Sequence, residues 1–276
     1  MQAIAITYDS FPSTSYAVSV VLGAPDPEMN EIERVAREIG AQIVYGLTLE
    51  GQRVNAGEAY AVHRCSEIPV GERLFAIECD GPAVRSREIR VDHHRPGDPG
   101  YGLPPSRYLE GSSLGQFLHH IGIQATDEQR IIAAADHCLP AAYLGECPGV
   151  DPDAVARFRM AQKAAFTGRS VDELLDDIAR AREALRNAQT VELGGQQVRD
   201  MRGAVVPELP DAASRDGAAY IALVRERDGK EKVVVGGHLT PGAVDDFIRS
   251  WAPAQGLTGI YGDPSRGFAG GYLTTA

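Results

Sequence analysis

The string Val91-Asp92-His93-His94-Arg95-Pro96 places two imidazoles side by side directly after an acid. Neutral imidazole is a ligand for divalent cations, and a neighbouring carboxylate can orient one ring by accepting a hydrogen bond from it. On these residues alone two readings stay open: a metal centre, or an exposed polar loop in which His93 and His94 only hydrogen-bond. Asp9 and Asp80 bear on the choice because each, like Asp92, falls just after an apolar run that reads as a strand. A single acid in that place commonly caps a turn, whereas three can converge on one sheet edge and hold a cation. Asp136 comes later on a helix, followed at once by His137, and His119-His120 lie in between.

These residues need a frame. Residues 3–7, 41–45, 74–79 and 88–91 are short apolar runs without helical period, which suits strands buried in a sheet. Asp26-Pro27 supplies a cap and a first-turn proline for a helix carrying Met29, Ile32, Val35, Ala36 and Ile39 on one face. Strands alternating with amphipathic helices predict an α/β fold with a largely parallel sheet, whose ligands sit outside the carboxyl ends of the strands. Thr126 with Gln129 and Ser170 with Glu173 open two further helices as capping boxes. The second of these has a heavily charged outer side and reads as a bridge between domains. A hairpin around Gly194-Gly195 and a connection over residues 207–217 put the domain boundary near residue 190. The expected division is thus residues 1–190 and a smaller α+β domain over residues 191–276. In the latter, residues 220–224 and 232–235 flank Asp228-Gly229 as a hairpin, Thr240-Pro241 caps a helix, and residues 257–261 form a strand.

Composition narrows the partners. The 38 acidic residues outnumber the 27 basic ones, giving a net charge of −11 that repels long nucleic acid and leaves a small phosphorylated substrate as the expectation. Cys65, Cys79, Cys138 and Cys147 show no paired spacing and read as reduced, buried thiols of a cytoplasmic protein. No apolar stretch is long enough for a membrane span. A homodimer is compatible with everything in the sequence.

Asp80 before the triplet, Asp92-His93-His94 itself, Gly111-Ser112-Ser113-Leu114 after it and then Ala135-Asp136 together resemble the DHH superfamily of metal-dependent phosphoesterases. The resemblance runs over nearly the whole chain. It implies a DHH-like amino-terminal domain, a DHHA1-like carboxy-terminal domain that grips substrate, and one or two manganese or magnesium ions. Within it Asp80 bridges the ions, His93 and Asp136 are metal ligands, His94 contacts the scissile phosphate, Asp92 supports from behind, and Ser113 lies at the substrate. The family's first motif, His-x-x-Pro-Asp-x-Asp-Ala, aligned on Pro12, meets Asp9 in place of the histidine and Ser13 and Ser15 in place of the aspartates. A hydroxyl is a far weaker ligand than a carboxylate for these cations, so Asp9 assists and the site is degenerate. His119, His120 or His137 could fill the vacancy.

The closing segment, residues 262–271, resembles the family's terminal glycine loop, with Arg266 in place of its histidine and Gly270, Gly271 and His238 as further substrate contacts. A guanidinium and glycine-exposed amides suit an anion, while a glycine-rich turn closing the last strand is the plain alternative. The expected function is hydrolysis of a small phosphoester, a nucleotide or short oligonucleotide, in a cleft between the domains. The alternatives are a non-catalytic nucleotide- or phosphate-binding regulator and a biosynthetic enzyme with an altered reaction on the same scaffold.

Overall fold

The computed structural model describes residues 17–84, 88–226, 229–264 and 267–273. The chain divides into two compact units, Met1–His137 and Cys138–Ala276.

In the first unit, β1 (Val18–Leu22), α1 (Pro27–Glu38), β2 (Gln42–Leu47), β3 (Arg64–Cys65), β4 (Arg73–Ile77) and β5 (Glu88–Val91) precede α2 (Tyr108–Gly111), α3 (Ser113–Ile121) and α4 (Asp127–His137). Within the described residues the strands form a five-stranded sheet in the order β3-β2-β1-β4-β5. All neighbours are parallel except the edge pair β2–β3. The central strand is Val18-Ser19-Val20-Val21-Leu22, a β-branched run suited to burial on both faces. It was not among the expected strands, and the expected strand at residues 3–7 lies outside the described residues.

Period-two alternation divides the sheet's side chains between two layers. Phe75 meets Phe117 of α3 edge to face, with ring centroids 5.4 Å apart. Opposite, Val21, Val44 and Ala76 pack with Val54, Ala59, Val62 and Val84, which come from irregular chain and not from a helix. Among the described residues, helices therefore cover one face only.

Both caps expected in this unit form. The Asp26 side chain accepts from the Met29 amide at 2.6 Å, and Thr126 and Gln129 exchange side chain-to-backbone hydrogen bonds at 2.9 and 3.2 Å.

The second unit contains α5 (Leu139–Tyr143), α6 (Pro152–Thr167), α7 (Val171–Asn187), β6 (Thr190–Leu193), β7 (Gln196–Asp200), α8 (Leu209–Asp216), β8 (Ala219–Arg225) and β9 (Glu231–Gly237). It closes with α9 (Pro241–Asp246), a π-helical turn at Phe247–Trp251, α10 (Ala252–Ala254), β10 (Thr258–Asp263) and β11 (Phe268–Tyr272). Its six described strands run in the order β10-β11-β9-β8-β7-β6, antiparallel except for β7–β8.

The charged helix expected to bridge domains is α7. Its Leu174, Ile178, Ala181 and Leu185 pack with Leu209, Ala212 and Ala213 of α8 and Tyr220 and Ala222 of β8. An apolar stripe of that size must be buried, and the second sheet buries it. The compact units accordingly meet at His137/Cys138, upstream of the boundary expected near residue 190.

The opposite face of this sheet carries Ala243, Val244 and Phe247 against Ile221, Val233 and Val235. The β6–β7 hairpin turns on Gly194 and Gly195, whose φ values of 51° and 81° are those of the mirror-image turn that matches strand twist. The β8–β9 pairing forms as expected around Gly229, with Asp228 outside the described residues. No helix among the described residues is long and apolar enough to cross a membrane.

The edge-to-face pair sets a test of the first core. Phe117 is fully buried, so Phe117→Ala is expected to cost ~3–5 kcal/mol in urea unfolding. A cost below ~1 kcal/mol would mean that α3 does not seal this sheet.

Candidate metal centre

Strands β1, β4 and β5 are neighbours in the sheet, so whatever follows their carboxyl ends is brought together. After β5 come Asp92, His93 and His94. After β4 comes Glu78, and after β1 the chain crosses Gly23 to the first turn of α1, where Glu28 sits. Asp136, near the end of α4, completes the group. One ligand atom each from Glu28, Glu78, His93 and Asp136 lie within 4.8 Å of one another, and Glu78, His93 and His94 form a second, overlapping set.

His93 Nε2 is the focus. It lies 3.0 Å from Asp136 Oδ2, 3.3 Å from Glu78 Oε1 and 3.8 Å from Glu28 Oε2. Glu28 and Glu78 are buried, while the Asp136 side chain is 27% exposed at the rim. Glu28 Oε2, Glu78 Oε1 and His93 Nε2 are buried without a completed hydrogen bond. Carboxyl oxygens left unpaired away from water are costly, and a divalent cation satisfies several of them at once. Two or three carboxylates with imidazole suit a hard or borderline cation such as manganese or zinc.

Charge crowding shows in the titration of these groups. Burial, reinforced by Asp136 and Glu78, pushes the Glu28 carboxyl well above the carboxylate range. Burial and Glu78 likewise push Asp26 up to about 6. Burial alone would lower His93, yet its contacts with Asp136 and Glu78 carry it up to about 10. Asp136 is lowered in spite of its burial, chiefly by His93.

Local backbone devices aim these groups. Glu78 has φ 48°, a left-handed conformation rare outside glycine, and its amide donates to the Val91 carbonyl at 2.9 Å. Gly23 passes so close that a Cβ there would lie 2.4 Å from the Glu78 carbonyl oxygen. Glu28 Oε1 accepts from the Leu114 amide at 3.0 Å, in the first turn of α3, where unpaired amides favour an anion.

Asp92 is fully buried and acts from behind. Its Oδ1 accepts from the His93 amide at 2.7 Å and from the His94 amide, His94 Nδ1 and the Tyr60 hydroxyl at 3.1 Å. His94 is thereby raised, by Asp92 first, and its ring is 47% exposed. The Arg95 guanidinium lies over the Tyr60 ring at 3.2 Å.

Of the residues expected at the site, His93 and Asp136 meet, Asp92 lies behind them, and the His94 ring stands against Asp92 and half exposed. Asp80 does not join them. The chain turns at Glu78, and Asp80 emerges with its side chain 46% exposed, 3.5 Å from Arg90 and bound to the Gly81 amide at 2.6 Å. Glu78, directly after the strand, occupies the place expected for Asp80.

Ser113 is fully buried and so does not face a substrate; the start of its helix supports Glu28 instead. Gly270 and Gly271 lie in the interior of β11, between β9 and β10, and not in an open loop. A Cβ on Gly270 would lie 2.6 Å from the Tyr261 hydroxyl, which explains the glycine by packing. His238 follows β9 in the second unit, its carbonyl accepting from the Gln196 side chain at 2.7 Å. Asp9, Ser13, Ser15 and Arg266 lie outside the described residues. His119 and His120 end α3 away from the cluster and line a separate cavity of about 550 Å³ with Arg107, Leu109 and Ile123.

Glu28, Asp26, Glu78 and Tyr60 were not among the expected site residues. A signal for Asp26 and Glu28 existed. Val18–Leu22 runs into Pro25-Asp26-Pro27-Glu28, which carries the proline, acid and spaced second acid sought at Pro12. No protein-family model matches this chain, nor does any curated protein.

The protonated groups give a pH test. A cation entering the cluster must displace the proton that His93 holds up to about 10. Manganese affinity measured by calorimetry between about pH 7 and 9 is therefore expected to rise about tenfold per unit for each proton released. The metal-free chain should keep the His93 contribution to stability in full below the ordinary 6.5 and lose it as pH rises through about 10. An affinity flat across that range would contradict this cluster as the binding site.

Proposed function

We propose that this chain is a metal-dependent phosphohydrolase of DHH-like type acting on a small phosphoester such as a nucleotide or short oligonucleotide. The observation that carries the reading is the convergence of Glu28, Glu78 and Asp136 on His93 Nε2, with buried oxygens left unpaired. A bound divalent cation supplies a hydroxide nucleophile at neutral pH and neutralises phosphoryl oxygens.

The chain's own residues do the rest. Glu28, Glu78, His93 and Asp136 would hold the cation. Asp92 fixes His94 through Nδ1, so the outer nitrogen of that half-exposed ring can donate to a phosphoryl oxygen. Arg95, over the Tyr60 ring, would offer a second cation for the same anion. The Tyr60 hydroxyl ties this pair to Asp92, so phosphate contacts and ligand loop are built on one buried carboxylate.

The regulatory alternative drew its support from the acids replaced by Ser13 and Ser15. Glu28 supplies a buried carboxylate from another place in the chain, which favours the hydrolase.

The test is metal content after purification together with manganese-dependent turnover of bis-p-nitrophenyl phosphate. His93→Ala is expected to abolish turnover, and Glu78→Gln to lower it at least a hundredfold, on the order of a lost ligand. Asp80→Asn and His119→Ala should each leave most of it. Equal losses from Asp80→Asn and Glu78→Gln would overturn the ligand assignment, and a metal-free chain that binds nucleotide tightly would return the regulatory reading.

A further inference from the structure

His137 follows Asp136 directly, and its ring sits between two partners. Nε2 lies 2.9 Å from the Leu103 carbonyl oxygen, and Nδ1 lies 3.3 Å from His93 Nδ1. The ring is closely fitted as well: a Cβ on Gly111 would fall 2.3 Å from His137 Nε2, so that glycine makes the space the imidazole occupies.

Donor and acceptor roles follow from the carbonyl. A carbonyl oxygen can only accept, so His137 Nε2 carries a proton. A neutral ring protonated there has its lone pair on Nδ1, facing His93. His93 then donates from its own Nδ1, and Nε2, the atom nearest Asp136, Glu78 and Glu28, is left as the nitrogen whose proton an entering cation displaces. In the converse pairing His137 donates from both nitrogens and His93 accepts on Nδ1, so freeing Nε2 for a cation would leave an imidazolate.

We propose that His137 is a positioning residue: anchored by the Leu103 carbonyl and seated against Gly111, it accepts the His93 Nδ1 proton and so makes Nε2 the ligand. The inference rests on the reading of His93 as a metal ligand. It gives His137 a role other than filling a vacant ligand place, and it gives the loop after the histidine pair a task, since Leu103 holds the far end of the relay. Hydrogen-bond partners of this kind fix ring orientation and typically change metal affinity 10–100-fold.

The test uses the full chain with 15N-labelled histidine. In the metal-free protein, a 15N–15N coupling across the hydrogen bond should link His93 Nδ1 to His137 Nδ1, with the proton on His93. Zinc titration by calorimetry should then show His137→Phe binding about 10–100-fold more weakly than the unaltered chain. His137→Gln, whose side-chain oxygen still accepts, should recover most of that loss. A proton found on the His137 side, or zinc held as tightly by His137→Phe as by the unaltered chain, would overturn the proposal. Coupling of the expected sense in a chain that takes up no zinc would leave the pairing standing and remove the metal centre, so the two failures are distinguishable. The coupling is read on the unaltered chain and does not depend on any variant folding.

Discussion

Three carboxylates gathered around one imidazole nitrogen repel one another, and two of them, on Glu28 and Glu78, are shielded from water. Such an arrangement persists in a folded chain only if positive charge is supplied, by protons at the expense of ordinary acid strength or by a cation. The upward displacement of both Glu28 and His93 expresses the first solution. The geometry of the ligand atoms suits the second. Much of the first unit serves to hold these groups together against their mutual repulsion.

The means are local and identifiable. Parallel register puts the ends of β1, β4 and β5 side by side. A left-handed Glu78 turns its side chain inward, and Gly23 permits the close backbone approach this requires. The first turn of α3 gives Glu28 an amide, and buried Asp92 fixes the loop that carries both histidines. The Tyr60 hydroxyl, the Arg95 cation and the His137 relay extend that order outward from the centre. Preorganisation of this kind lets a ligand be bound without the cost of ordering the groups that hold it.

The second unit follows a different plan. Its sheet is mostly antiparallel and covered on both faces, by α7 and α8 on one side and the α9 segment on the other. The glycines near its end are explained by strand packing, Gly270 by the Tyr261 ring and Gly271 by Leu257 and Ile260. A glycine pair near a chain terminus reads equally well as an anion-binding loop or as close-packed strand, and only the neighbours on either side distinguish the two.

What the sequence determined by itself was local. The caps at Asp26, Thr126 and Ser170, the hairpin turns, most strands and the pairing of Asp92 with His93 and His94 all depend on residues a few positions apart, whose chemistry is legible in order. The tertiary structure decided which acids face the histidines. Glu78 and Asp80 are two residues apart and both follow β4, yet one backbone conformation sends the first inward and the second toward solvent. Glu28, an acid in the first turn of α1, becomes part of the site because β1 is the central strand and the first turn of α3 meets it. Direction of a side chain in space follows from register and backbone dihedrals set by distant packing, and for that reason it is not written in the spacing of the residues.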